Sequence, residues 1–228
     1  MEKLDYLVDE ALEKQELKSI DRKYADKTAR EVLSSHSTTY EAWKEKGFDD
    51  RASEAKELVK AIRRSLRDAY GLFFKQPYSD EEKQSLLDQS SIDMEAVLDR
   101  HVSTAERLPH YPYLFDHVNN VFGEIDHVLD LGCGYNPLAL AQHDMCKQIS
   151  MVDISGEELS FLSDILDQQG IANTSYIIDL SNPEELSTIN NIDDIDVALC
   201  FKLFDNLETK TKSISEKITD LLIRKANE

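Results

Sequence analysis

The 228 residues carry 45 acidic side chains against 26 Lys and Arg, a formal charge of −19, with 41% hydrophobic residues. That apolar content is enough for a packed core, the length fits one large domain or two small ones, and the charge argues against a general polyanion binder. No apolar run approaches the roughly 18 residues of a membrane helix, the start lacks a signal pattern, and Cys133, Cys146 and Cys200 are too few and scattered for a disulfide framework or a Cys-x-x-Cys metal pair, so a cytoplasmic setting without membrane or metal is expected.

Residues 1–100 read as helices, a first domain. Leu58, Ile62, Leu66, Tyr70 and Phe73 recur at three- and four-residue spacing and make one apolar stripe. At about 100° per residue, Lys60, Arg63, Arg64 and Arg67 centre roughly a third of a turn away from it. Charge is uneven along the chain. Residues 51–75 hold seven Lys and Arg against three acids, whereas residues 151–200 hold 11 acids and no Lys or Arg. The basic segment suits RNA phosphates, or it is an ordinary solvated helix face. Pro77 ends this helix, Ser79 or Asp80 caps a short one, and Ser91 opens another covering Met94, Val97 and Leu98. A second domain, 101–228, begins near His101, where Ser103 and Glu106 have capping-box spacing.

Four strands are predicted at 127–132, 148–153, 174–179 and 196–201, with helices near 137–145, 156–169 and 182–187 and a last one over 207–226. This alternation signals an α/β fold, an open parallel sheet with helices on both faces. The first strand runs into Gly132-Cys133-Gly134, and the second closes on Asp153. A strand, a glycine turn, a helix and a strand ending in an acid form the layout that holds an adenosine-containing cofactor. Asp153, with Ile154 beside it, is placed for the ribose hydroxyls. Asp179 and Leu180 are placed for the adenine, unless Asp179–Pro183 is only a turn.

Two segments carry a more specific signal: His101-Val102-Ser103-Thr104-Ala105-Glu106-Arg107-Leu108, and Leu131-Gly132-Cys133-Gly134-Tyr135-Asn136-Pro137-Leu138-Ala139-Leu140. Together they closely resemble the aminoglycoside-resistance 16S ribosomal RNA (guanine-N7) methyltransferases, which use S-adenosylmethionine. That family has a similar His-x-Ser-Thr-x-Glu-Arg segment followed by Gly-Cys-Gly-x-Asn-Pro. The resemblance continues through Phe161-Leu162-Ser163 and, more loosely, Lys202 to Glu208, and covers the chain from near residue 25 to its end.

The resemblance implies a Rossmann-like class I methyltransferase domain behind an all-helical N-terminal domain that binds ribosomal RNA. It implies a cofactor site of Gly132, Gly134, Asn136, Asp153, Ile154, Asp179 and Leu180, with Arg107 paired to the cofactor carboxylate and His101 in support. The implied partner is 16S rRNA in the 30S subunit; the basic helix, with Lys60, Arg63, Arg64 and Arg67, is then expected to grip its phosphates, and Lys202, after the fourth strand, to stand where substrates meet this fold. The outcome is methylation of guanine N7 in the decoding site and resistance to aminoglycosides. Asp205 stands where the family tends to have a proline, so the base pocket differs in shape. Only four strands are visible where this fold has more. The expectation is therefore a C-terminally incomplete sheet with Val197–Phe201 as an exposed apolar edge. The rival expectations are a methyltransferase of this fold acting on another RNA or a small molecule, and a non-catalytic fragment that binds RNA or cofactor.

Overall fold

A computed structural model of the chain describes residues 3–68, 77–192, 194–208 and 211–225. The chain forms two compact units that divide between Pro77 and Tyr78. The first holds α1 (Leu4–Leu12), α2 (Arg22–Ser35), α3 (Ser37–Glu45) and α4 (Ser53–Leu66). Asp21 starts α2 by accepting from the amides of Lys23 and Tyr24, which satisfies donors that a helix start leaves free. The predicted stripe is real in α4, where Ala55, Leu58, Val59, Ile62 and Leu66 are buried. Tyr70 and Phe73, which would extend it, lie outside the described residues. The α4 stripe packs on α1, α2 and α3. Trp43 is fully buried, with its ring near those of Tyr6, Tyr40 and Phe48, and its Nε1 donates to the Asp49 carbonyl at 2.8 Å.

The second unit opens with α5 (Asp80–Leu87), α6 (Met94–Asp99), α7 (Val102–Arg107) and α8 (Tyr111–Phe122). The parallel sheet follows: β1 (His127–Leu131), α9 (Asn136–Gln142), β2 (Gln148–Asp153), α10 (Gly156–Gln168), β3 (Ala172–Ile177), α11 (Pro183–Leu186), β4 (Val197–Leu199), α12 (Leu203–Glu208) and α13 (Ile214–Lys225). The strand order is β3-β2-β1-β4, all pairs parallel. β1 is central and every residue in it is buried, as expected of an inner strand covered on both faces.

Several expectations change here. The compact boundary falls at 77/78 rather than 100, because α5 and α6 pack within the second unit: Lys83 of α5 pairs with Glu158 of α10, and α6 lies against α9. Ser79 does cap α5, in a full capping box with Glu82. The next helix is capped by Asp93 rather than Ser91, and Ser103 lies inside α7 rather than at its cap. β3 begins and ends two residues earlier than expected, so Asp179 lies past the strand. The single helix expected over 207–226 is two, α12 and α13. β4 is indeed an edge strand, but Val197 and Leu199 are buried rather than exposed. Ala198 and Cys200 pack against a core cluster that includes Leu129, Leu131, Ile214, Ile218 and Leu221, so α13 helps to cover the apolar side chains.

One polar tie stands out. Lys83 Nζ sits 2.6 Å from Glu158 Oε1, with side chains only 12% and 8% exposed, and the Tyr135 hydroxyl donates to Glu158 Oε2 at 2.6 Å. Removing one partner of a buried ion pair leaves the other charge uncompensated. Glu158→Ala is expected to lose about 3 kcal/mol in urea unfolding, whereas the double change Lys83→Met with Glu158→Leu is expected to recover most of that loss.

Candidate cofactor-binding site

The turn after β1 is built from two residues in the left-handed region, Gly132 at φ +62° and Gly134 at φ +48°. The amides of Gly132 and Cys133 donate to the Val152 carbonyl at 2.8 and 3.1 Å, which anchors the turn on β2. Both positions are also crowded. A Cβ on Gly132 would lie 2.7 Å from Leu203 Cδ1, and one on Gly134 would lie 2.7 Å from the His101 ring. The close approach predicted at these glycines is therefore made first by side chains of the protein itself. His101 is buried, stacks on Tyr135 with ring centroids 5.4 Å apart, and lies 3.4 Å from the Ser103 hydroxyl. Burial, reinforced by the positive charge of Arg107, brings its pKa down to about 3, so the ring is a neutral buttress under the turn.

Asp153 closes β2 beside this turn. Its Oδ2 accepts from the Gly134 amide at 3.1 Å and its Oδ1 from the Ile154 amide at 2.7 Å. Burial raises its pKa against the opposing pull of those amides. A carboxylate at this position is an acceptor of the kind that ribose hydroxyls need. Asp179 and Leu180 are buried in the turn beyond β3. Asp179 accepts from the Ser181 amide at 3.0 Å, and its own amide donates to Glu185 at 3.0 Å.

Arg107 lies at the end of α7. Its Nε donates to the Tyr111 hydroxyl at 3.2 Å, and its guanidinium carbon lies 4.9 Å from the centre of the Phe201 ring. The Tyr111 hydroxyl donates to Asn136 Oδ1 at 2.9 Å, and Asn136 Nδ2 donates to Asp130 Oδ2 at 2.7 Å. Arg107 Nη1 is buried with no acceptor among the described residues. Such a group calls for a ligand acceptor, and the cofactor carboxylate was expected here. The residues thus fit a nucleoside with a zwitterionic amino-acid tail. Lys202, at φ +53°, pairs with Glu106 of α7. Phe201 and Lys202 therefore hold two adjacent residues of the same short helix.

The four predicted RNA-contacting residues of α4 separate into two pairs. Arg63 donates to the carbonyls of Glu10 and Ala11 at the end of α1, and Arg67 pairs with Glu16 at 2.6 Å. Lys60 and Arg64 are exposed, in line with exposed Lys56. None of these last three has an ion-pair partner among the described residues.

Tyr111, Asp130, Glu106 and Phe201 were not anticipated. Asp130 had a legible signal, being an acid inside a strand otherwise built to be buried; the others have none without the fold. Asp130 is 1% exposed, and burial raises its pKa to about 7 against the hydrogen bond from Asn136 and the charge of Arg107. Between its ordinary value of 3.8 and about 7, the folded state keeps a proton that the unfolded chain has lost. This group's contribution to stability therefore falls as pH rises through that window. Asp130→Asn is expected to leave the melting temperature of the ligand-free protein nearly unchanged at pH 5 and to raise it at pH 8, as read by calorimetry.

Comparison with known proteins agrees with this architecture. Residues 34–224 match the family described as Ribosomal RNA methyltransferase (FmrO). The chain is 29% identical over 181 residues to the 16S rRNA (guanine(1405)-N(7))-methyltransferase of Micromonospora echinospora, a match covering 73% of this chain and 63% of that protein. It is 28% identical over 183 residues to the protein of the same name from Frankia casuarinae, covering 73% and 61%. The chain thus spans less than two thirds of the length of these relatives. Among solved structures, the fold is similar to 16S rRNA methyltransferase RmtF in complex with S-adenosyl-L-homocysteine, with a TM-score of 0.72 at 24% identity over 96% of this chain and 76% of that one. It is also similar to the 16S rRNA methylase RmtB, with a TM-score of 0.71 at 20% identity over 95% and 79%. With its parallel four-stranded sheet of class I methyltransferase type and a match over most of its length, the chain belongs to the FmrO family of ribosomal RNA methyltransferases.

Proposed function

We propose that this protein transfers a methyl group from S-adenosylmethionine to N7 of a guanine in the decoding site of 16S rRNA within the 30S subunit, in the cytoplasm, and so confers resistance to aminoglycosides. The observation that carries this is the convergence of the glycine turn, Asp153 and the unmet Arg107 donor on one end of the sheet, in a chain of this family. The names of the curated relatives support the substrate, and the S-adenosyl-L-homocysteine in the RmtF structure supports the cofactor.

When bound, S-adenosylmethionine supplies a methyl group activated on a sulfonium. Guanine N7 has an in-plane lone pair and no proton to lose, so no general base is required of the protein. The task left to the side chains is orientation. Asp153 would hold the ribose, Arg107 the tail carboxylate, and the turn of Asp179 and Leu180 would flank the adenine. A base inside a folded RNA helix has to be flipped out to be reached, and in this reading Lys202, just past β4, would stand next to it.

For the RNA, the row Lys56, Lys60 and Arg64 is the best-suited surface of α4. Its cations recur every four residues, about 6 Å along the axis, and phosphate contacts position an RNA-binding protein. Arg63 and Arg67 shape the same unit from within.

Incubation of 30S subunits with radiolabelled S-adenosylmethionine, followed by primer extension after borohydride–aniline cleavage, is expected to map one modified guanine in the decoding site. Label at another position would overturn the substrate assignment. The triple change Lys56→Glu, Lys60→Glu, Arg64→Glu is expected to lower methylation by about tenfold or more at moderate salt, with S-adenosylhomocysteine affinity unchanged. Full methylation of 30S subunits by this variant would remove the row from the RNA interface.

A further inference from the structure

We propose that Tyr111 is a positioning residue that aims Arg107 at the carboxylate of the cofactor tail by selecting which edge of the guanidinium is left for the ligand. This rests on S-adenosylmethionine being the ligand of the site.

The argument follows the hydrogen-bond directions. Arg107 is a donor only. The Tyr111 hydroxyl accepts from Arg107 Nε and donates to Asn136 Oδ1, and Asn136 Nδ2 donates to Asp130 Oδ2. The guanidinium fixes the first link, so the single proton of the Tyr111 hydroxyl is directed onward to Asn136. Tyr111, Asn136 and Asp130 are each no more than 1% exposed, so water does not substitute readily for a missing link.

A guanidinium offers two forks to a carboxylate, one formed by Nε with its neighbouring terminal nitrogen and one formed by the two terminal nitrogens. Tyr111 occupies Nε. The end-on fork remains, and its Nη1 is the buried donor without an acceptor. The Phe201 ring, its centre 4.9 Å from the guanidinium carbon, offers an apolar face with no hydrogen-bond acceptor in the guanidinium plane, so it does not select an edge. The Tyr111 hydroxyl makes that selection. The same hydroxyl links α7 and α8 to Asn136 at the start of α9 and to Asp130 in β1, so the orientation of the tail-binding group is referred to the sheet itself.

The test compares two ligands by isothermal titration calorimetry: S-adenosylhomocysteine, which has the amino-acid tail, and 5′-methylthioadenosine, which lacks it. Tyr111→Phe keeps the ring and removes only the hydroxyl. It is expected to weaken S-adenosylhomocysteine about tenfold, the size of one lost hydrogen bond to a charged group, and to leave 5′-methylthioadenosine within about twofold; retained binding of the latter also shows that the variant is folded. In an Arg107→Ala background, adding Tyr111→Phe is expected to change S-adenosylhomocysteine affinity by less than about twofold, because the pathway is already broken. An equal loss for both ligands, an unchanged S-adenosylhomocysteine affinity, or a persisting effect in the Arg107→Ala background would overturn the role of Tyr111. If the wild-type protein binds neither ligand, the cofactor assignment fails and the proposal with it.

Discussion

The turn between β1 and α9 passes through two left-handed glycines in a crowded setting, and most of the candidate site is arranged around it. The volume that a Cβ would take at Gly132 and Gly134 is filled by Leu203 and His101, which come from segments far apart in the chain. Asp153 then accepts from the Gly134 amide. Residues from α7, from the end of β2 and from the segment after β4 thus converge on one short loop.

The electrostatics under the loop follow from burial. Asp130 and Glu158 are among the carboxylates that sit where an isolated charge is unfavourable. Glu158 is compensated at close range by Lys83 and the Tyr135 hydroxyl. Asp130 has no such ion pair among the described residues; its compensation reaches it through Asn136 and Tyr111 from Arg107. Burial pushes Asp130 up to about 7 against the pull of the Asn136 hydrogen bond and the Arg107 charge.

Much of this was legible in the sequence, for identifiable reasons. Inner parallel strands are buried on both faces, so β1 and β2 read as near-continuous apolar runs and their limits came out within a residue. β3 misled because Ala172–Ile177 is a polar edge strand, largely exposed or half-buried, while the apolar Ile178 and Leu180 that follow are buried in the core beyond its end. Apolar residues report burial, not strand. Arg63 and Arg67 looked like surface cations because their partners, the carbonyls closing α1 and the Glu16 carboxylate, lie about fifty residues away. Tyr111 is invisible to motif or periodicity, since its role is set by a hydroxyl meeting an arginine four residues away and an asparagine twenty-five residues away.

The one-way chain from Arg107 to Asp130 also constrains how such a sequence can diverge. Each link donates in the same sense, so exchanging one residue for another of opposite hydrogen-bonding capacity sets two donors or two acceptors face to face in a dry interior. Drift at these four positions is therefore channelled into concerted replacements, and a relative that has changed one of them is expected to have remodelled its neighbours along the chain as well.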